Sequence, residues 1–245
     1  MVGKLLLRGM LVGIVAGLLA FGFARVFGEP AVDGAIAFEE QTAATHGEAH
    51  EPELVSREVQ SSIGLLTGTL VYGAAIGGLF ALVFAYAYGR VGSLGARETA
   101  ALLALAGFVA VILVPFLKYP ANPPSVGNPE TIGHRTALYF IMMAVSVAAM
   151  VNTVILARKL IHHVGIWSAV LLAGLAYIVV VAVAQMILPP VNEVPEAFSA
   201  VLLWQFRTGS LGIHVVLWTT IGLAFGALTE RSLRHQPGIG RRAYG

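Results

Sequence analysis

Two histidines and a group of glutamates lie close together in the first quarter of the chain. His46 and His50 are four residues apart, so a helical segment would place both imidazoles on one face. Glu48 and Glu51 lie next to them. Imidazole suits cobalt, nickel, copper and zinc, and carboxylates complete such shells. The segment predicts a metal site at His46, Glu48, His50 and Glu51; the alternative is a solvated acidic loop with two incidental histidines.

A further histidine, His214, lies inside a long apolar segment near the C-terminus. Polar residues within such segments commonly mark an ion pathway. Two interpretations stay open. His214 is either a metal ligand on a permeation path, or a neutral imidazole in a helix interface that is satisfied by a backbone carbonyl.

Four residues lie at the ends of apolar segments: Lys118, Tyr119, Trp204 and Arg207. Aromatic and long cationic side chains commonly anchor helices at a membrane interface, with the charged group reaching towards water. We expect these four to be interfacial anchors or partner-docking residues. Lys118 and Arg207 could also pair with the acids Glu193 or Glu196.

Several kinds of chemistry are excluded by missing motifs. The chain has no cysteine, which excludes disulfides, zinc–thiolate sites and iron–sulfur ligation. It also lacks a P-loop, a G-x-S-x-G elbow and an H-E-x-x-H motif. No charged residue lies in the middle of a predicted span, which argues against an evident proton-coupled antiporter. We therefore predict a protein that is not an enzyme.

The composition places the chain in a membrane. Of 245 residues, 57% are hydrophobic and only 11% are charged, and the mean hydropathy is +0.81. Soluble domains carry about 25% charged residues. A net charge of +2 from so few charges does not indicate nucleic-acid binding. The partner that the composition predicts is the lipid bilayer.

Six apolar segments are long enough to cross a membrane, which takes roughly 20 residues. We predict an all-α polytopic bundle with spans at about 5–27, 61–89, 99–117, 136–157, 164–188 and 208–229. Residues 1–231 would form a single transmembrane domain with an outer loop at 28–60, and residues 232–245 a basic tail. The first span is too long for a signal peptide.

The charges between the spans predict the orientation. Ten lysines and arginines lie on one side of this topology and five on the other, so the positive-inside rule places both termini in the cytoplasm. This describes a multi-pass protein of the inner or plasma membrane. Glycines repeat at four-residue spacing in the first, second and sixth spans. Such series favour close helix packing within the bundle or contacts in a homo-oligomer.

Several segments resemble the CbtA family of predicted cobalt transporter subunits. The most specific of them is PFLKYPANPP at 115–124. It is followed by RTALY at 135–139, the run from Leu188-Pro189 through Pro195, and LWQFR at 203–207. AIAFE at 35–39, the acidic segment with two histidines and GTLVYG at 68–73 are also similar to that family. The resemblance covers about residues 5 to 231.

The resemblance implies a small polytopic protein that imports cobalt for cobalamin synthesis, together with CbtB, a single-span partner with a histidine-bearing terminus. Co²⁺ would be the transported ion, and no cofactor would be bound permanently. Members of this family are usually described with about five spans, whereas the charge pattern predicts six. A different class of function is a non-transporting scaffold or assembly subunit that docks a partner through its outer loops.

Overall fold

The computed structural model describes residues 2–46, 55–90 and 92–235. These residues form helices and connecting segments without a strand. Five helical segments are long and apolar enough to cross a membrane: Val2–Thr45, Arg57–Ala87, Ala96–Lys118, Pro129–Ile187 and Ala200–Arg234. The prediction of an all-helical, multi-pass membrane protein is confirmed. The count of six spans and the orientation remain predictions.

The helices follow one another with three π-helical turns between them. The α-helices are α1 (Val2–Phe23), α2 (Glu29–His46), α3 (Arg57–Val59), α4 (Leu65–Ala87), α5 (Ala96–Gly107), α6 (Val114–Lys118), α7 (Ile132–Ile187) and α8 (Ala200–Arg234). The π turns are Ala24–Gly28, Gln60–Gly64 and Phe108–Leu113.

Helix α7 is a hairpin and not one straight rod. Gly165 interrupts it with φ +78° and ψ +166°. The hydroxyls of Ser146 and Tyr177 are hydrogen-bonded at 2.8 Å, although an unbroken helix would separate these residues by about 46 Å along its axis. The chain therefore reverses near Gly165, within two residues of the predicted turn between the fourth and fifth spans. Each arm exceeds the roughly 20 residues that a span requires.

Part of the segment predicted as an outer loop at 28–60 is helical. Helix α2 continues from α1 through the π turn Ala24–Gly28 and ends at His46. Residues 35–44 are rich in alanine, glutamate and glutamine, which are good helix formers. The change to π register comes just before Pro30, which has no N–H to donate to the preceding turn.

The described chain divides into two compact units. Unit 1 comprises residues 1–30, 50–105 and 212–245. In unit 1, α1 packs against α4 at glycines: a Cβ on Gly13 would overlap the carbonyl oxygen of Gly73, and one on Gly77 would overlap that of Gly9. Glycine therefore allows the two backbones to touch, as the four-residue spacing predicted.

Unit 2 comprises residues 31–49 and 106–211. It contains the α7 hairpin, whose arms meet in an apolar core, and the segments at 119–131 and 188–199, which are both rich in proline. The core of the hairpin consists of Val114, Tyr119, Leu138, Met142, Ala149, Tyr177 and Val181. A smaller core of Ala35, Val126 and Phe198 joins α2 to both proline-rich segments.

Candidate ion-pathway residues and proline-rich segments

The predicted metal segment falls largely outside the described part of the chain. His46 is the last residue of α2, while Glu48, His50 and Glu51 lie in 47–54, outside the described residues. Within the described ranges, no group of three or more His, Cys, Asp or Glu side chains could hold a metal ion. A metal site at His46, Glu48, His50 and Glu51 therefore remains a prediction.

His214 lies in α8 of unit 1, and its Nδ1 atom is buried. Among the described residues, this nitrogen has no hydrogen-bond partner. The imidazole packs edge-on against the Tyr72 ring of α4, with the ring centroids 6.0 Å apart. No backbone carbonyl of the described residues therefore bonds to Nδ1, although one of the two interpretations required such a bond. The role of His214 as a metal ligand remains a prediction.

Trp218 lies one helical turn beyond His214 and has the same property. Its side chain is 8% exposed, and its indole Nε1 has no hydrogen-bond partner in the described chain. Buried polar atoms are paired in the great majority of cases, and those without a protein partner commonly bind water or an ion. Residues four apart share one face of a helix. This face of α8 therefore has two ring nitrogens without a partner in the described part of unit 1. Only the imidazole can act as a metal ligand, because the indole N–H is a donor alone.

A polar cluster near the π turns of unit 1 was missed by sequence reasoning. Arg25 Nη1 donates to the carbonyl oxygen of Ser61 at 3.2 Å, which joins the π turn Ala24–Gly28 to the π turn Gln60–Gly64. Arg57 forms an ion pair with Glu29. Glu29 is buried, with only 9% of its surface exposed. The four-residue spacing of Arg25 and Glu29 is a sequence signal for a shared face, but it does not identify either partner.

Further polar contacts join the other ends of these helices. Arg8 of α1 donates from Nη1 to the Thr229 hydroxyl of α8 at 3.1 Å. Arg97 of α5 and Arg234 both pair with Glu230. These residues belong to the side that the charge count predicts to be cytoplasmic. Unit 1 thus has ionic contacts at both ends of its helices, and the His214–Tyr72 contact lies between them.

The predicted interfacial residues bind backbone carbonyls of unit 2. Lys118 Nζ donates to the carbonyl oxygen of Gln185 at 2.7 Å, and the Tyr119 hydroxyl donates to that of Pro189 at 2.8 Å. Burial raises the pKa of Tyr119. Trp204 is 68% exposed. An exposed tryptophan at a helix end is consistent with the expected anchoring role.

Arg207 fixes the first proline-rich segment. It donates from Nε to the carbonyl oxygen of Ala121 at 3.3 Å and from Nη2 to Asn122 Oδ1 at 2.9 Å. The possible pairing of Lys118 or Arg207 with Glu193 or Glu196 is not formed among the described residues. Lys118 donates to the carbonyl oxygen of Gln185 and Arg207 to that of Ala121 instead. Glu193 pairs with Arg135.

Glu193 joins the two proline-rich segments. It accepts hydrogen bonds from the backbone N–H of Asn128 and from the Thr131 hydroxyl, both at 2.7 Å. Arg135 Nε lies 3.3 Å from its carboxylate. The pKa of Glu193 is lowered, mainly by the bond from Asn128 and next by the bond from Thr131, with smaller charge effects of Arg135 and His134. We call these contacts of Glu193 with Asn128, Thr131 and Arg135 the Glu193 clasp. No local pattern in the sequence identifies it.

These segments are also the ones that carry the family resemblance. A family model described as "Probable cobalt transporter subunit (CbtA)" matches residues 2–230. No curated protein and no solved structure gives a significant match. The family description names a transporter subunit and fits the membrane-type helical fold. The chain belongs to the CbtA family of probable cobalt transporter subunits.

Proposed function

We propose that this chain imports Co²⁺ across the plasma membrane with a single-span, CbtB-like partner and supplies cobalamin synthesis. The family match over residues 2–230 is the observation that carries this proposal. The membrane-type helical fold supports it. In this proposal the chain has six spans, with both termini in the cytoplasm.

The acidic segment after α2 would collect the hydrated ion. A cluster of carboxylates raises the local concentration of cations, and His46, Glu48, His50 and Glu51 would exchange some of the water ligands for nitrogen and oxygen. Movement of a divalent ion through an inside-negative potential of 100 mV releases about 4.6 kcal/mol, twice the value for one charge. Uptake therefore needs no ATP-binding motif in this chain.

His214 is the candidate ligand within the bundle. Its Nδ1 is buried without a protein partner in the described residues, so the imidazole is available to an ion or to the water molecules around it. One imidazole is too few for a closed metal shell. We therefore assign the remaining ligands to the histidine-bearing terminus of the partner.

The decisive experiment is cobalt accumulation in cells that lack other cobalt importers, with and without the partner. We expect uptake only when both chains are present. Replacement of His46 and His50 by alanine should reduce uptake at low cobalt concentration, and His214→Ala should reduce it at every concentration. His162→Ala is the matched control, because His162 is exposed in the turn region of the α7 hairpin. Cobalt transport into liposomes by the purified chain alone would contradict the need for a partner.

A scaffold that docks a partner without transporting ions is the second candidate function. It is favoured by the clasp at Glu193, which fixes the two proline-rich segments together as a rigid surface. Normal assembly with the partner but no cobalt uptake under any condition would support the scaffold. Uptake that depends on His214 would exclude it.

A further inference from the structure

A groove opens along the α7 hairpin of unit 2, and none of the residues of the proposed ion site lines it. Its volume is about 620 Å³, and both arms of the hairpin line it. The walls are mainly aliphatic, with Val145, Ala148 and Leu156 on the first arm and Val180 on the second. The groove does not depend on the function proposed above.

The groove is long enough to cross one bilayer leaflet. Its lining extends along the first arm from Val145 to Lys159, which corresponds to about 21 Å at the usual helical rise. One leaflet contributes about 15 Å of hydrocarbon to a bilayer. An extended acyl chain that lies in the groove therefore brings its headgroup to the level of Lys159.

The polar end of the groove is cationic. Lys159 lines it, and this lysine forms no ion pair within the described ranges. The sequence has no acidic residue between Glu130 and Glu193. The hairpin therefore has no carboxylate of its own to neutralise this end.

The other polar groups of the groove are already bonded within the hairpin. Asn152 donates to the carbonyl oxygen of Ala148 at 2.8 Å, and the Thr153 hydroxyl donates to that of Ala149 at 2.9 Å. The Tyr177 hydroxyl is bonded to Ser146. The groove is therefore aliphatic, and Lys159 at its end has no ion-pair partner in the described residues. A lipid with an anionic headgroup fits this arrangement.

We propose that this groove binds one anionic phospholipid, with an acyl chain between the arms of α7 and the phosphate on Lys159. Basic pockets between membrane helices bind the headgroups of anionic lipids in this way. The predicted cytoplasmic location of the α7 turn agrees with it, because that leaflet is rich in anionic lipid. The bound lipid would fill the groove between the two arms.

The test is native mass spectrometry of the full chain after exchange into phosphatidylglycerol or into phosphatidylcholine with the same acyl chains. We expect the wild type to retain more phosphatidylglycerol than phosphatidylcholine. Lys159→Gln should reduce this retention about fivefold, the contribution of one lysine at an anionic surface. Arg158→Gln is the matched control, because Arg158 neighbours Lys159 but does not line the groove. Since Arg158 lies outside the groove, its replacement should reduce retention by clearly less than about fivefold.

A second pair of variants tests whether an acyl chain occupies the groove. Ala148→Phe places a ring in the groove and should abolish retention. Val147→Phe is the control, because Val147 is exposed on the neighbouring face of the same arm and does not line the groove; it should leave retention unchanged. Equal retention of the two lipids, or equal effects of Lys159→Gln and Arg158→Gln, would overturn the proposal. It would also be overturned if Ala148→Phe released a second protein chain and left the lipid bound.

Discussion

In unit 1, α1 and α4 meet backbone to backbone at glycines, whereas in unit 2 distant segments are joined by side chains that donate to backbone carbonyls. Unit 1 also keeps buried nitrogens of His214 and Trp218 without a partner among the described residues. In unit 2, Glu193 accepts two hydrogen bonds and an ion pair. The difference is that unit 1 keeps two buried ring nitrogens without a partner in the described residues, whereas unit 2 uses its polar side chains to hold the two proline-rich segments together.

The largest expected effect comes from Gly13→Leu in unit 1. A side chain at Gly13 meets the backbone of Gly73 and Ala74, which cannot rotate away. Overpacking usually costs about 1–3 kcal/mol, and this contact with backbone atoms should reach about 3 kcal/mol. Reversible unfolding in mixed micelles, followed by circular dichroism, measures the change in the free energy of unfolding.

Gly22→Leu is the matched control for that variant. Gly22 is on the same helix, and a Cβ there would meet nothing within 4 Å. Its substitution should leave the free energy of unfolding within about 0.5 kcal/mol of the wild type. Equal losses at Gly13 and Gly22 would show that the contact of Gly13 with the α4 backbone does not cause the effect.

The second effect tests the ionic cluster of unit 1. Arg57→Ala leaves the buried carboxylate of Glu29 without its counter-ion. Removing one partner of a buried pair costs about 3–5 kcal/mol, and the partial exposure of Arg57 reduces the expected loss to about 2 kcal/mol. The same unfolding measurement should show a smaller loss when Glu29→Gln is already present. Independent, additive losses would contradict the assignment of this pair as a coupled unit.

The apolar helices could be predicted because each one has a local signal, a long uncharged run. The turn within α7 was also predictable, since Arg158, Lys159, His162 and His163 interrupt the apolar sequence just before Gly165. The extension of α2 to His46 was missed. A polar segment that is rich in alanine and glutamate has helix propensity but no apolar periodicity.

The polar partners could not be predicted, because they join positions far apart in the chain. Glu29 and Arg57 are 28 residues apart, and Asn128 and Glu193 are 65 residues apart. Residue types alone suggested Lys118 and Arg207 as partners for the outer acids. In the structure, nearby carbonyls satisfy those cations, and Arg135 reaches Glu193 instead. Charge complementarity indicates which pairs are possible, but only the packing of the segments selects among them.

A smaller effect is expected inside the α7 hairpin. Tyr177→Phe removes the hydroxyl that bonds to Ser146 across the two arms. Hydrogen bonds between membrane helices average about 0.6 kcal/mol and reach about 1.7 kcal/mol, so a loss near 1 kcal/mol is expected. A double-mutant cycle with Ser146→Ala measures the coupling, and Tyr86→Phe, at a tyrosine that is 73% exposed, is the control. A coupling energy of zero would mean that the hydrogen bond between Tyr177 and Ser146 does not stabilise the hairpin.

The smallest effect depends on pH and tests the clasp in unit 2. The pKa of Glu193 is lower in the folded chain, first because of the N–H of Asn128 and then because of the Thr131 hydroxyl. Its stabilising contribution is therefore complete above the pKa of an unfolded glutamate, about 4.3, and is lost as the pH falls through the lower folded value. The thermal midpoint of the wild type should exceed that of Glu193→Gln at pH 7, and the gap should close in acid. The exposed residue Glu196 provides the control, because Glu196→Gln removes a charge three residues away without breaking the clasp. A gap that stayed constant down to the lowest pH would mean that the carboxylate charge does not stabilise the contact between the two proline-rich segments.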